Sequence, residues 1–542
     1  MASPKSPKPA TSRPSKKIAP RGPKSGAAAS PGRTAEVEPA PATPTPHTGS
    51  SRITLNSATP YPPATSLPAT APAPVTPTIV EGTPAPPCTD LGKEFPRSEA
   101  EMRAMRLAGA AAARRMIDFI DRSPTPYHVV DNVAAALRDN GFQELREQEA
   151  WKLAPGDRRF VVRSGSTVVA FVVGARSPAL TGFRMVAAHT DSPTFRLKPN
   201  AERTAHGWQL LGVEPYGGAI YATWVDRDLS IAGRVLCRRE SAQLGASGQP
   251  TIEPVLVDLG RPVARIASVA IHLNRKVNED GMQLNPQKHM VPIVGIGSEP
   301  ELRRIIARAI DREDERIVSW DLCLYDTHKG TLGGLDEELV LCARLDNLAS
   351  SFTAMEALRK VPRGVGPTAV LALHDHEECG SRSAVGASGT LLRDVLERVA
   401  QAHPEPEPQA LPRALATSWL VSADMAHAIH PSYPDLHDAE HTPRLNRGLV
   451  VKTNANQSYA TSGPSAAFFA ELCRRVGYEP QQFVSRSDVR GGTTVGPIIS
   501  AELGVRAVDV GAPMLSMHSV RELAGVLDVH LAIRTYEELY RS

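Results

Sequence analysis

Residues Thr368–Ser381 read "TAVLALHDHEECGS", a short apolar run closed by two adjacent glutamates. A run of this length reads as a buried strand. Open α/β sheets bind their ligands outside the carboxyl ends of such strands. Glu377 and Glu378 stand side by side at that end. Like charges repel, and near a strand end successive side chains diverge. A pair kept in a buried place therefore needs a cation or a proton.

The same rhythm continues outward. Upstream, "RFVVRSG", "TVVAFVVGA" and "FRMVAAHTDSP" are strand-like runs bounded by Gly, Ser or Pro, and two amphipathic helices flank the turn "RSPTPYH" before them. Downstream come strand "ELVLCARLD", helix "LASSFTAMEALRK" and, beyond the opening stretch, strand "TSWLVSADMA". Between Thr194 and Gly334 helical periodicity largely disappears. That segment offers the short strands "GWQLLGVEP", "LSIAGRVLCRR", "IEPVLVDL" and "ARIASVAIHL", interrupted by one helix, "SEPELRRIIARAI". The expectation is an α/β domain in two parts, 96–193 and 335–542, with a β-rich segment, 194–334, inserted between them.

Residues 1–95 stand apart. The first 90 residues hold 21 of the 48 prolines, in runs too poor in large apolar residues to build a core, so this tail is expected to be disordered. Its first 35 residues carry eight Lys and Arg and no acid. That would suit nucleic acid, an anionic surface or a transit sequence, although a solubilising tail is the simpler reading. Beyond the tail the charges nearly balance, which argues against nucleic-acid binding by the body. The best apolar run, "TVVAFVVGA", has strand length and falls far short of the roughly 20 residues of a membrane span. No apolar secretory core follows Met1, and Cys88, Cys237, Cys323, Cys342, Cys379 and Cys473 are scattered without a C-x-x-C pair. Reduced thiols in a cytoplasm are expected.

Five places at or near strand ends collect metal-ligand residues: His189 and Asp191 in "AAHTDSP", Asp346 in "ARLDN", Glu377 and Glu378, Asp424 in "SADMAH", and His518 in "SMHSVRE". Taken singly, each has an innocent explanation as a surface pair, a helix cap or a solvated face. Taken together they end what reads as four strands of one sheet in acids that would cost free energy if buried unpaired. Imidazole and carboxylate without thiolate suit zinc, with cobalt or manganese as substitutes, in a hydrolytic site. Two ions sharing a bridging carboxylate use this inventory better than one. Such a pair, roughly 3.5–4 Å apart, activates water and polarises a carbonyl. One free carboxylate must then take the water's proton, a task for either member of the glutamate pair.

At these residues the chain resembles the aspartyl aminopeptidase and aminopeptidase I family of zinc metallopeptidases. The resemblance runs from about Ala100 to the C-terminus through "RSPTPYH", "AAHTDSPTFRLKP", "YGGAIYATWVDRDLSIAGRV", "HLNRKVNE", "ARLDNL", "SADMAHAIHPSYPDLHDAEH", "VVKTNANQSYAT", "GGTTVGPI" and "SMHSVRE". It implies a catalytic α/β domain, with a central mixed sheet flanked by helices, and an inserted β-rich dimerisation domain. It also implies homodimers assembled into a tetrahedral homododecamer that removes N-terminal residues from peptides. Carried over by position, the resemblance makes Asp346 the bridging ligand. It puts His189 and Asp424 on one of two zinc ions, and Glu378 and His518 on the other. Asp191 would orient His189, and Glu377 would be the general base acting on metal-activated water. Substrate contacts would come from His427, Lys452 and Tyr459, and from His289 of a neighbouring subunit. A lysine and imidazoles beside the scissile residue favour Asp or Glu there.

One residue departs from the pattern. Cys379 stands where a small apolar residue, usually Val, is expected, and it should pack as a small hydrophobe. Two rival functions are a broad or leucine-type aminopeptidase and a non-catalytic scaffold working through its basic tail.

Overall fold

A computed structural model of the chain describes residues 98–239, 252–297, 301–364, 366–405, 407–489 and 491–542. The expected disordered tail, 1–95, lies outside them. The apolar runs are strands covered on both faces. In Thr167–Val172, Val168, Ala170 and Val172 enter one core while Val169 and Phe171 enter another. Thr368–His374 divides likewise, with Leu371 and Leu373 against Val370 and Ala372. Alternate side chains of a strand face opposite ways, so a sheet flanked by helices on both sides needs unbroken apolar strands. Helices Glu99–Asp121, Leu345–Arg359 and Val526–Arg541 fill one core, and Leu391–Ala402 and Val495–Leu503 fill the other. Phe171 is fully buried against Trp151, with ring centroids 6.2 Å apart. Phe171→Ala should cost about 3–5 kcal/mol, read as a lowered midpoint in denaturant unfolding.

Strands Thr368–His374, Phe183–His189, Trp419–Ala423 and Arg506–Gly511 are parallel neighbours in that order. Antiparallel strands Thr167–Val172 and Val450–Lys452 flank them within a nine-stranded mixed sheet. The register sets His374 opposite His189 and Ser422 opposite Ala187. Three carboxyl ends therefore finish side by side.

A second sheet, six-stranded and antiparallel, is built from residues 194–326 around its own core. Here the sequence reading needs correcting. Trp208–Tyr216, Leu229–Arg238 and Ile252–Asp258 are strands, but "ARIASVAIHL" forms only isolated bridges at Ala264, Arg265 and Ile266. Beyond these bridges, Val269, Ile271 and Leu273 stand 61, 47 and 83% exposed. Two long strands escaped the pattern, Thr194–Ala205 and Ile317–Asp326. In the first, Pro199 and a register shift between Leu197 and Glu202 break the alternation.

A third sheet of five short strands includes Leu339–Cys342, Pro513–Leu515 and Glu522–Gly525. It overturns the expectation that four strands of one sheet end in the acids. Only three do, because the strand before Asp346 belongs to this separate sheet. Leu339–Cys342 is short and half-exposed on alternate residues, a pattern that does not reveal which sheet it joins. Among the described residues no helix is long and apolar enough to cross a membrane.

Candidate metal centre

His189 is the last residue of its strand and Asp424 follows directly after Trp419–Ala423. Glu377 and Glu378 occupy the turn after Thr368–His374. From the side of the five-stranded sheet, helix Leu345–Arg359 brings Asp346 in its first turn. The loop between Pro513–Leu515 and Glu522–Gly525 brings His518. The structure thus gathers residues separated by more than 300 positions around one carboxylate.

That carboxylate is Asp346. His189 Nε2 lies 3.5 Å from its Oδ1, and His518 Nε2 lies 3.5 Å from its Oδ2. Asp424 Oδ1 is 3.7 Å from His189 Nε2, and Glu378 Oε1 is 3.5 Å from His518 Nε2. His189, Asp346 and Glu378 each offer a ligand atom within 4.8 Å of the others. Glu377 Oε2 is 4.0 Å from His189 Nε2. All six line one cavity of about 410 Å³.

The supporting bonds aim these atoms. His189 Nδ1 faces the Asp191 carbonyl oxygen at 3.0 Å and Asp191 Oδ1 at 3.3 Å. Both partners only accept, so a neutral ring keeps its proton on Nδ1 and turns its Nε2 lone pair to the cluster. Asp191 also accepts the backbone N–H of Glu377 at 3.2 Å and of Glu378 at 3.1 Å, and the Tyr216 hydroxyl at 2.5 Å. Asp191 is therefore the fixed point of the turn that carries both glutamates.

The electrostatics ask for a cation. Burial alone would raise the Asp346 carboxyl, but the imidazoles of His189 and His518 outweigh it and hold its pKa low. Burial would likewise lower His189, yet Asp191, Asp346 and Asp424 push it well above the ordinary imidazole value. There are too few imidazoles to go round. Burial, with Asp424, Asp191 and Asp346 adding to it, pushes Glu377 up to about 8 despite His189. Burial and Asp346 push Glu378 well above its usual range. Asp346 Oδ1 is buried without a hydrogen-bond donor. A buried excess of carboxylate with an orphaned oxygen, two correctly oriented imidazole nitrogens and no thiolate fits divalent cations of the zinc type.

The other expected residues divide. His427, Lys452 and Tyr459 line the same cavity. Lys452 is buried, donates to the Met425 carbonyl at 3.1 Å, lies 3.6 Å from Asp424 Oδ2 and sits 5.2 Å above the Tyr459 ring. His289 does not join them. It is exposed, and its Nδ1 accepts the Asn285 N–H at 2.9 Å. Cys379 does not pack as a small hydrophobe either. The turn leaves it exposed, with Sγ 3.8 Å from the Tyr216 hydroxyl and outside the cavity lining. The other four described cysteines are free and buried.

Sequence reasoning passed over Glu522. Its Oε2 accepts the Asp346 N–H at 3.1 Å and its Oε1 accepts the His518 N–H at 2.8 Å, so one buried carboxylate sets the backbone of two cluster residues. The available signal was its place at the end of "SMHSVRE", four residues after His518.

A convergent imidazole–carboxylate cluster at the carboxyl ends of a mixed sheet is the working part of a metallohydrolase. The family described as Aminopeptidase I zinc metalloprotease (M18) matches residues 119–540. A probable M18 family aminopeptidase 2 of Pseudomonas putida is 42% identical over 434 residues, 79% of this chain and 97% of that protein. Among solved structures, Chaetomium thermophilum mApe1 is 33% identical with a TM-score of 0.70, over 80% of this chain and 97% of that one. The S. cerevisiae mApe1 dodecamer is 31% identical with a TM-score of 0.69, over 79% and 96%. The chain belongs to the M18 family, and it is a metalloaminopeptidase.

Proposed function

We propose that the chain binds two zinc ions and removes N-terminal Asp or Glu from peptides. The observation that supports this best is the Asp346 carboxylate held between His189 and His518 at 3.5 Å from each. His189, Asp346 and Asp424 would hold one ion, and Asp346, Glu378 and His518 would hold the other. When bound, the ions acidify a water and polarise the first peptide carbonyl. The remaining work falls to the chain. Glu377 takes the water's proton as the water oxygen bonds to the carbonyl carbon. It returns that proton to the amine nitrogen as the C–N bond breaks.

Lys452 carries the reading of an acidic preference. Its ammonium is buried in the cavity wall, with His427 and Tyr459 on the same cavity, where a charge is worth more than at the surface. Lys452→Met should lower kcat/KM for Asp and Glu substrates relative to Leu by about 10- to 100-fold, the worth of one charge-assisted hydrogen bond. An unchanged ratio, or a wild-type enzyme fastest on Leu, sinks the acidic preference.

For assembly, the dodecameric neighbour and the unpaired apolar side chains of Val269, Ile271 and Leu273 support self-association through segment 194–334, first as dimers and then as a homododecamer. His289, exposed in the same segment, would then serve a neighbouring subunit's cavity. Reduced, buried thiols fit a cytoplasmic setting. Counting zinc per chain while comparing Asp, Glu and Leu substrates tests the proposal directly. One ion per chain overturns the paired site.

A further inference from the structure

The chain that leaves the metal centre at Asp191 enters strand Thr194–Ala205, turns, and returns along Trp208–Tyr216. The register sets Tyr216 opposite Thr194. The hairpin therefore delivers Tyr216 and the two residues after it, Gly217 and Gly218, back to the site it left. Each meets a different member of the cluster. The Tyr216 hydroxyl donates to Asp191 Oδ2 at 2.5 Å, and its ring is gripped by the Arg196 guanidinium 4.1 Å from the ring centre. Gly217 has φ +69°, and a side-chain carbon there would lie 3.0 Å from Glu378 Cβ and 3.1 Å from its Oε2. The Gly218 carbonyl lies 3.2 Å from His518 Nδ1.

We infer that Tyr216–Gly218 is a positioning element that sets the orientation of the metal ligands from the six-stranded sheet. For His518 the argument is tautomeric. A carbonyl can only accept, so a neutral ring carries its proton on Nδ1 and presents its Nε2 lone pair to the space shared with Asp346 Oδ2 and Glu378 Oε1. His518 has a left-handed backbone, φ 67°, uncommon for a residue with a side chain. That geometry is pinned by the Glu522 carboxylate and by the Ile220 N–H, which donates to the His518 carbonyl at 3.0 Å. Gly218 thus holds His518 by its ring, and Ile220, two residues on, holds it by its backbone. Gly217 supplies room for Glu378, and Tyr216 locks Asp191, which orients His189 in turn.

This inference rests on the two-ion reading above, and its test measures metal rather than turnover. Dissociation constants for Zn²⁺ are obtained by chelator competition on the full chain, with elemental analysis for stoichiometry. Gly218→Ala places a methyl group 3.2 Å from His518 Nδ1. It should weaken one ion by about 10- to 100-fold, the usual effect of disturbing a residue that orients a ligand, and leave the other in place. Gly217→Ala should act on the same ion. Tyr216→Phe should weaken the ion on the His189 side by about 10-fold. Gly212→Ala is the control, because it lies in the same strand and its added carbon meets only ordinary contacts, the nearest at 3.5 Å. Two ions of unchanged affinity in Gly218→Ala and Tyr216→Phe overturn the inference alone. A wild-type chain that takes up no zinc overturns the metal reading and this inference together.

Discussion

Glu377→Gln should retain its zinc and lose turnover by about 10²- to 10⁴-fold, the range general acid–base catalysis contributes. The substitution keeps the shape and removes the proton-accepting oxygen. Glu377 is placed by its backbone, whose N–H donates to Asp191 Oδ1 at 3.2 Å, and that bond survives in the variant. The pairs between His189, His518, Asp346, Asp424 and Glu378 do not involve the altered atom. The fall should lie in kcat with KM little changed, since the missing transfer belongs to the transition state. Glu378→Gln provides the contrast, because weakening a ligand should lower zinc content first. Near-normal turnover in Glu377→Gln, or full loss of its zinc, would show that the two labels are exchanged.

Asp346→Ala should abolish both activity and metal binding. No other carboxylate in the cluster touches both imidazoles, at 3.5 Å each, so on the proposed two-ion reading its removal would take one ligand from each ion at once. The expected signature is thermal as well as catalytic. A ligand that binds only the folded state stabilises it by about 2.7 kcal/mol at a free concentration of a hundred times its Kd. Titrating zinc into the metal-free wild type should raise its unfolding temperature. In Asp346→Ala the same titration should leave it flat. A variant that still gains stability from zinc at wild-type concentrations would remove Asp346 from the bridging role.

Much of this was legible in the sequence because buried strands advertise themselves. The runs ending at His189, His374 and Ala423 are apolar on both faces, and polar residues directly after such runs stand out. Asp346 was found by the same reasoning but assigned to the wrong sheet, since a four-residue strand carries no mark of its partner. "ARIASVAIHL" has strand-like residues, but among the described residues it forms only isolated bridges, so composition misled. The order of roles within Glu377–Glu378 was beyond spacing. Glu378 Oε1 faces His518 Nε2 at 3.5 Å, a contact across 140 positions that no spacing encodes. Tyr216 and Glu522 act through contacts at separations of 25 and 176 positions, which no local pattern encodes.

The return of the Thr194–Tyr216 hairpin to its own starting point bears on how this architecture can change. A surface insertion normally enters and leaves a host sheet through a neutral gap, so it can be trimmed, exchanged or transplanted while the host goes on working. Here the entrance is three residues past Asp191 and one strand's return ends on the Asp191 carboxylate. Excising the six-stranded sheet takes away part of the scaffold of the metal centre along with it. A shortened descendant would have to find a new donor for Asp191 and a new acceptor for His518 before it could lose that sheet.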